Sequence, residues 1–266
     1  MGGKIECYLD IASYYSYIAF VQLQQNRELL NENGVEIEIH PFLIGGVNAA
    51  SGNSPPWLVP AKARYSKYDT RRAAAALGLK DVSVPGDLME MGKTLLPMRA
   101  MTYIKAAFPA AVYTAAFGYL FHAFWTLHKV PNGAPVLREV LSEIPAGFSL
   151  ASLSLSLPRD ASAAGTGTGT GAERLFTPEQ VARVLDAVAL AEVKGALKAR
   201  VDEALARGAF GAPWIWATDA RGRGEPFFGS DRWHCVYDFL GLPYRKMELL
   251  PPPPPPQQQQ QKKAKL

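Results

Sequence analysis

Asp-Ile-Ala-Ser-Tyr-Tyr-Ser-Tyr, residues 10–17, is the stretch in which the sequence changes from the pattern of a strand to that of a helix. Before it, residues 5–10 alternate apolar and polar side chains, which is the period of a β-strand. After it, apolar side chains recur at helical spacing until Asn33-Gly34, a pair typical of a helix end. Alternation returns over residues 35–39, so a strand, a crossover helix and a strand predict two parallel strands.

A long helical block follows. Helical patterns fill residues 61–207, beginning with segments near 61–77, 86–107 and 110–128. Residues 177–180 (TPEQ) have the pattern of a capping box with proline in the first turn.

Strand patterns return at residues 214–216 and 226–229, and Ser230 is predicted to begin a last short helix. This order of elements is that of a thioredoxin fold with a domain inserted at its middle. We therefore predict an α/β fold, a thioredoxin-like domain with an inserted all-helical domain of the DsbA-like kind. The predicted boundaries are residues 1–60 and 205–245 for the thioredoxin-like domain and 61–204 for the insert.

Two stretches have compositions that do not build a core. Residues 146–174 include an alternating Gly/Thr run, which predicts a flexible low-complexity loop. Residues 246–266 form a Pro/Gln tail that we predict to be disordered. We assign no chemistry to either stretch.

The overall composition limits the classes of function. The 266 residues are 48% hydrophobic and 20% charged, as in an ordinary globular protein. Part of the formal net charge of +4 comes from lysines in the last five residues, so the body is nearly neutral and we expect no nucleic-acid partner. No apolar run approaches the roughly 20 residues of a membrane span, and no apolar signal segment opens the chain. We expect a soluble protein made in the cytosol.

Cysteine and histidine usage excludes further classes. Cys7 and Cys235 form no Cys-x-x-Cys pair, which argues against a dithiol redox centre and against a disulfide-built fold. The alternation around Cys7 is typical of a buried apolar thiol. The four histidines lack metal-ligand spacing, so we expect no metal cofactor.

Three local patterns are candidate parts of a site. Ser13 places a hydroxyl at a helix N-terminus, where unpaired N–H groups favour an anion, although a plain capping role explains it equally well. Ala212-Pro213 is a candidate cis bond whose neighbouring backbone could pair with an extended peptide, or else an ordinary trans turn. Ser230 and Asp231, at the predicted helix start, suit a zwitterionic amino-acid group, or else merely cap the helix.

Four segments together resemble the kappa class of glutathione transferases: residues 10–17, 51–62 (SGNSPPWLVPAK), 208–213 and 228–232. They occur in the family's order, and the resemblance covers about residues 4–241. It implies an enzyme that activates glutathione, its co-substrate, as a thiolate for conjugation to a small hydrophobic electrophile or for peroxide reduction. It also implies a homodimer.

The resemblance implies a role for each matched residue. Ser13 would hydrogen-bond the glutathione sulfur, and Asn53 and Lys62 would hold the glycyl end. The residues it assigns to glutathione binding are Ser13, Tyr14, Tyr15, Asn53, Lys62, Ala212, Pro213, Ser230 and Asp231. Two of them depart from the family pattern, since Tyr14 stands where Pro is frequent and Ala212 where Leu is frequent. Met89, Met91, Met98, Phe121 and Phe124 of the helical domain would line an apolar pocket for the second substrate, or else belong to the plain core.

Two alternatives remain open. One is a glutathione-dependent 2-hydroxychromene-2-carboxylate isomerase, and the other is a non-catalytic module that binds glutathione or a peptide. The final residues Ala264-Lys265-Leu266 resemble a peroxisomal address, which predicts recognition by a peroxisomal import receptor. The alternative location is the cytosol.

Overall fold

The computed structural model describes residues 2–150 and 173–245. Four strands form one mixed sheet: β1 (Gly3–Leu9), β2 (Val35–Pro41), β3 (Trp214–Asp219) and β4 (Gly224–Phe228). Their order is β2-β1-β3-β4, with β1 and β2 parallel and β3 antiparallel to both of its neighbours. The predicted α/β fold with a thioredoxin order of strands is confirmed.

Ten α-helices lie in the described part of the chain: α1 (Tyr14–Glu32), α2 (Ile44–Ser51), α3 (Pro60–Ala76), α4 (Leu88–Met91), α5 (Leu95–Ala107), α6 (Ala110–Trp125), α7 (Ala134–Glu143), α8 (Pro178–Ala187), α9 (Ala191–Ala206) and α10 (Trp233–Phe239). A short 3-10 helix (Pro56–Leu58) precedes α3. Helix α1 ends before Gly34, whose φ of 75° suits a residue without a Cβ. The capping box of α8 is present, with Thr177 and Gln180 bonding each other's backbone N–H.

Three helix predictions were incomplete or wrong. The helix expected over residues 86–107 is split at residues 92–94 into α4 and α5, and α2 was not predicted. Helix α7 lies inside the predicted helical block, although no separate bounds were predicted for it. Ser230 does not begin the last helix, because residues 229–232 keep a non-helical backbone that starts with Gly229 at a φ of 93°. Helix α10 therefore begins three residues later than predicted.

The central strand β1 is buried on both faces. Ile5, Cys7 and Leu9 have no exposed surface and belong to the core shared with α1 and α6. On the other face, Tyr8 packs in a second cluster with α9 and the start of β3. Both alternating sets of side chains are therefore enclosed, as in a sheet covered by helices on two sides.

Aromatic side chains join the helical region to the sheet domain. Tyr17 and Phe20 of α1 meet Phe121 of α6 at ring-centroid distances of 5.5 Å. Phe117 stacks on Phe121 at 5.2 Å. Because these rings belong to one core, the helical region is not a separately packed body at this contact.

The predicted domain boundary at residue 205 falls inside α9. This helix packs on the sheet, with Ala204 in the same cluster as Tyr8 and Trp214. The two-part division stays a prediction, but the whole of α9 is one continuous helix across that boundary.

The ends of the predicted loop over residues 146–174 are part of the packed structure. Ala146 N–H donates to the Glu173 carbonyl at 2.8 Å, and Leu150 is buried in the main core. Residues 151–172, the tail over 246–266 and the terminal Ala-Lys-Leu lie outside the described residues. Within residues 2–150 and 173–245, no helix combines the length and the apolar character needed to cross a bilayer.

Candidate active site

Ser13 lies at the N-terminus of α1, and its hydroxyl makes two hydrogen bonds. The oxygen accepts from the Ser16 N–H at 3.1 Å, which confirms the predicted capping role. The hydroxyl donates to the carbonyl of Ala212 at 3.0 Å, across 199 residues of sequence. The side chain is 7% exposed. Ser13 therefore caps α1 and at the same time joins the helix end to the segment before β3.

The loop that carries Ser13 is fixed by a buried carboxylate. Asp10 has no exposed surface, and it accepts from the N–H of Ala12 and the N–H of Ile44, each at 2.9 Å. The Thr94 hydroxyl donates to the same carboxylate at 2.8 Å. In addition, the Trp125 indole N–H donates to the Ile11 carbonyl at 2.8 Å. The backbone from Asp10 to Ser13 is thus held from α2, α5 and α6.

The second segment of the site is the turn into β3. The Ala212–Pro213 bond is cis, as predicted. The Ala212 carbonyl is not free, however, because it accepts the Ser13 hydroxyl. Asn53 lies beside this segment and donates from Nδ2 to the Phe210 carbonyl at 2.5 Å. On the other side, the Gly229 N–H donates to the Pro213 carbonyl at 3.2 Å.

Tyr14 and Tyr15 join the start of α1 to α3. The Tyr14 hydroxyl donates to the Thr70 carbonyl at 2.7 Å, and the Tyr15 hydroxyl donates to the Asp69 carboxylate. Burial raises the pKa of both phenols, and for Tyr15 the hydrogen bond to Asp69 raises it further. Both phenols are neutral donors at physiological pH. They hold the loop in place rather than supply a base.

The structure brings some of the predicted residues together and leaves others apart. Ser13, Ala212, Pro213 and Asn53 converge, and Ser230 follows Gly229 next to Pro213. Lys62 is exposed on the first turn of α3, with no hydrogen bond or ion pair to another described residue. The Asp231 carboxylate is 69% exposed and pairs with Arg232 at 2.5 Å. The binding roles of these residues stay predictions.

The proposed apolar pocket is smaller than predicted. Met98, Phe121 and Phe124 have no exposed surface and belong to the core, so they cannot line an open pocket. Met89 is 50% exposed, and its sulfur accepts a hydrogen bond from the Trp57 indole at 3.3 Å. Met91 is half-buried.

One group of possible metal ligands lies elsewhere, on the α9 side of the sheet. Atoms of Glu6, Glu38 and His40 come within 4.8 Å of one another. Cations already neutralise the group, since Lys105 reaches Glu38 at 2.8 Å and Arg207 reaches Glu6 at 3.0 Å. Burial and the nearby Lys105 lower the pKa of His40. The group is an ion-pair network in which a divalent ion would meet close positive charge.

Sequence reasoning missed Asp10 and Thr94 as parts of the site. Asp10 sits at a polar position of the alternating strand pattern, so the sequence offers no sign that its carboxylate is buried. Thr94 lies 84 residues away, and no local pattern marks the two as partners. The site therefore combines the Ser13 hydroxyl, the N-terminus of α1 and the Ala212 carbonyl. These groups suit an extended ligand with an N–H for the carbonyl and an ionisable group that becomes an anion at the helix N-terminus.

The buried Asp10 carboxyl should give stability a characteristic pH dependence. Burial raises its pKa to about 6, although hydrogen bonds from Ala12, Ile44 and Thr94 act in the opposite direction. In the unfolded chain the group titrates at about 3.9. Because the folded pKa is the higher one, its contribution to stability is greatest below pH about 4 and falls by about 3 kcal/mol as the pH rises through about 6.

The amide side chain in Asp10→Asn does not titrate. We therefore expect the unfolding free energy of wild type minus that of the variant to decrease as the pH rises from about 4 to about 6. Chemical denaturation at a series of pH values measures this difference. Asp219→Asn is the matched control with the opposite sign. Hydrogen bonds from Arg223 and Arg221 outweigh burial and lower the pKa of Asp219, so its stabilising contribution is lost as the pH falls. A wild-type minus Asp10→Asn difference that does not vary with pH would contradict the raised pKa.

The chain is similar to known proteins over most of its length. The chain is 26% identical over 246 residues to glutathione S-transferase kappa 2 of Caenorhabditis elegans, covering 91% of this chain and 93% of the relative. It is 27% identical over 241 residues to glutathione S-transferase kappa 1 of Homo sapiens, covering 89% and 90%. The solved structure of a 2-hydroxychromene-2-carboxylate isomerase matches with a TM-score of 0.61 at 16% identity, over 90% of this chain and 94% of that one. Residues 4–160, more than half of the chain, match the family described as DSBA-like thioredoxin domain, so the chain belongs to that family.

Proposed function

We propose that this protein is a glutathione transferase of the kappa class, which activates glutathione as a thiolate for conjugation to small electrophiles. The observation that carries the proposal is the Ser13 hydroxyl at the N-terminus of α1, hydrogen-bonded to the Ala212 carbonyl. Two relatives named as kappa transferases align over about nine tenths of both chains, which supports the same activity.

The hydrogen bond between Ser13 and Ala212 suggests how a peptide thiol binds. The Ser13 hydroxyl has one proton, and in this structure the proton points at the Ala212 carbonyl. An extended glutathione beside Ala212 offers its cysteinyl N–H to that carbonyl. The hydroxyl then turns its proton to the sulfur, while its oxygen keeps the Ser16 N–H. No buried polar group loses a partner in this exchange.

The thiolate by itself accounts for little of the acceleration. A thiol with a pKa of about 8.5 is about 3% ionised at pH 7, and lowering the pKa by about two units makes it mostly thiolate. Nucleophilicity falls with pKa along a slope of about 0.4–0.5, so the net gain is only several-fold. Most of the acceleration must come from holding the thiolate and the electrophile together.

The ends of the tripeptide would meet residues on either side of Ala212. Asn53, beside Phe210, and Lys62, an exposed cation without an ion pair in the described part of the chain, would take the glycyl end. Ser230 and Asp231 would take the γ-glutamyl end. Asp231 must exchange its pairing with Arg232 for the ligand's ammonium group, and its exposure makes that exchange cheap.

Isomerase activity is the second candidate. The isomerase likeness has 16% sequence identity, which shows the fold and not the substrate. A binding module without turnover would keep the same contacts, and a conjugation assay separates it from an enzyme. Conjugation remains the proposed reaction, because the relatives aligned over nine tenths of the chain are named as transferases. Peroxide reduction would be a second reaction of the same thiolate.

Replacing Ser13 tests the proposed role of its hydroxyl. In Ser13→Ala, the thiol pKa of bound glutathione should rise by at most about two units, because the sulfur loses one donor but keeps the helix N-terminus. Conjugation of chlorodinitrobenzene should fall by up to about threefold at neutral pH. It should exceed the wild-type rate at high pH, where both thiols are ionised and the thiolate of higher pKa is the better nucleophile. Ultraviolet absorbance of the bound thiolate, titrated with pH, measures the shift.

Ser16→Ala is the matched control. The Ser16 hydroxyl is buried on the same helix and has no hydrogen-bond partner among the described residues. The Ser16 backbone N–H, which donates to Ser13, is unchanged by the substitution. It should leave the thiol pKa where it is. An unchanged pKa in Ser13→Ala would remove Ser13 from the mechanism.

We also propose a homodimer. From the 3-10 helix to the middle of α3, four apolar or aromatic side chains are exposed: Leu58 (52%), Val59 (41%), Tyr65 (57%) and Tyr68 (56%). Tyrosine and aliphatic residues in such a cluster are typical of a contact surface. Light scattering during size exclusion should give twice the chain mass of 28.9 kDa, and Tyr65→Glu with Tyr68→Glu should lower it toward the monomer. A wild-type monomer would contradict the proposal.

The proposed location is the peroxisome, through recognition of the C-terminus by an import receptor. Its support is the terminal Ala264-Lys265-Leu266, which resembles the small–basic–leucine address. An N-terminal fluorescent fusion of the whole chain should collect in peroxisomes, and the same fusion without these three residues should stay in the cytosol. Equal distributions would show that the terminal tripeptide is not an address and would leave the cytosol or another compartment as the location.

A further inference from the structure

The Thr94 hydroxyl donates to the distant Asp10 carboxylate and does not cap its own helix. Thr94 is the residue immediately before α5, where a threonine side chain ordinarily accepts from its own helix. Here it makes no such cap, and its hydroxyl donates to both carboxylate oxygens of Asp10, at 2.8 and 3.0 Å. Both side chains are completely buried. The hydroxyl links the strand end to the helical region instead of capping α5.

Thr94 lies at the corner between α4 and α5. Met89 in α4 lies five residues before Thr94, and its sulfur accepts the Trp57 indole N–H at 3.3 Å. Asn132 holds the Met91 carbonyl at 2.6 Å, which fixes the other side of the corner. Met89 and Trp57 join the helical region to the 51–62 segment, whose Asn53 bonds the Phe210 carbonyl beside the site. We call this pair the Met89–Trp57 wall.

Asp10 also contacts the loop that carries Ser13. It holds the Ala12 N–H, one residue before Ser13, and its own carbonyl accepts the Ser13 N–H at 3.0 Å. The same carboxylate therefore contacts the loop of Ser13 on one side and the corner of Thr94 on the other. An acceptor with three neutral donors converging on it leaves little freedom for any of the segments that supply them.

We propose that Asp10, acting through Thr94, is a positioning residue that fixes the distance between the Ser13 hydroxyl and the Met89–Trp57 wall. This inference rests on the proposed function, in which Ser13 holds the thiolate and the wall receives the electrophile. A misplacement of about 1 Å between reacting groups can cost about a hundredfold in rate. The link should consequently affect turnover with the electrophile more than binding of glutathione.

Thr94→Val removes the hydroxyl and keeps the shape of the side chain. We expect kcat/KM for chlorodinitrobenzene to fall about tenfold, while the glutathione Kd, measured by calorimetry, changes by less than about twofold. Thr94→Ser keeps the hydroxyl and should restore kcat/KM to within about twofold of wild type. Thr102→Val is the matched control, because the Thr102 hydroxyl bonds to its own helix at the Met98 carbonyl (2.8 Å) and reaches no part of the site.

The outcomes separate this inference from the proposed function. If Thr94→Val lowers the melting temperature but leaves kcat/KM within about twofold of wild type, the link is only structural and the inference is overturned. If wild type itself neither binds glutathione nor turns over the electrophile, the proposed function fails instead. If Thr94→Val does not fold, Thr94→Ala makes the same test, since it removes the same hydroxyl and adds no methyl group to the buried site. The same loss of kcat/KM with little change in glutathione Kd is expected from it, and an unchanged kcat/KM overturns the inference.

Discussion

The carboxylate of Asp10, buried at the end of the central strand, is the point on which the arrangement of the site depends. A buried carboxylate is costly unless donors reach it, and here the donors are two backbone N–H groups and one hydroxyl. These donors come from the Ser13 loop, from α2 and from the residue before α5. The cost of burying the charge is thereby offset only when all three segments are in place. Formation of the loop and docking of the helical region are coupled for that reason.

Ser13 depends on this arrangement because its hydroxyl serves two neighbours at once. Its oxygen caps α1, and its proton reaches a carbonyl that precedes β3. A small rotation of the helix end would break one of the two bonds. The Trp125 indole on Ile11 and the phenols of Tyr14 and Tyr15 restrain that rotation from α6 and α3. The helical region therefore does more than cover the sheet, since it sets the direction in which Ser13 points.

Local patterns in the sequence were sufficient for the sheet and for the loop that follows β1. Alternation gave the strands, Asn33-Gly34 gave the end of α1, and residues 177–180 gave a capping box that is present. They failed where a distant contact decides the outcome. Thr94 lies in a run of helical character, yet its hydroxyl is directed at Asp10 and the run is broken before it. Gly229 adopts a positive φ beside Pro213, and so α10 starts later than its composition suggests.

A serine in place of a reactive cysteine changes what this fold can do. A hydroxyl forms no disulfide, and the chain has only two cysteines to substitute for it. Cys7 lies on β1 with no exposed surface, and burial raises the pKa of its thiol, so it is neither accessible nor ionised. Cys235 lies on α10 and forms no disulfide with Cys7. Thiol chemistry at the N-terminus of α1 must therefore use the sulfur of a bound ligand. The helix N-terminus and the Ser13 hydroxyl, which in a cysteine-bearing member would stabilise the protein's own thiolate, are left to stabilise that of the ligand.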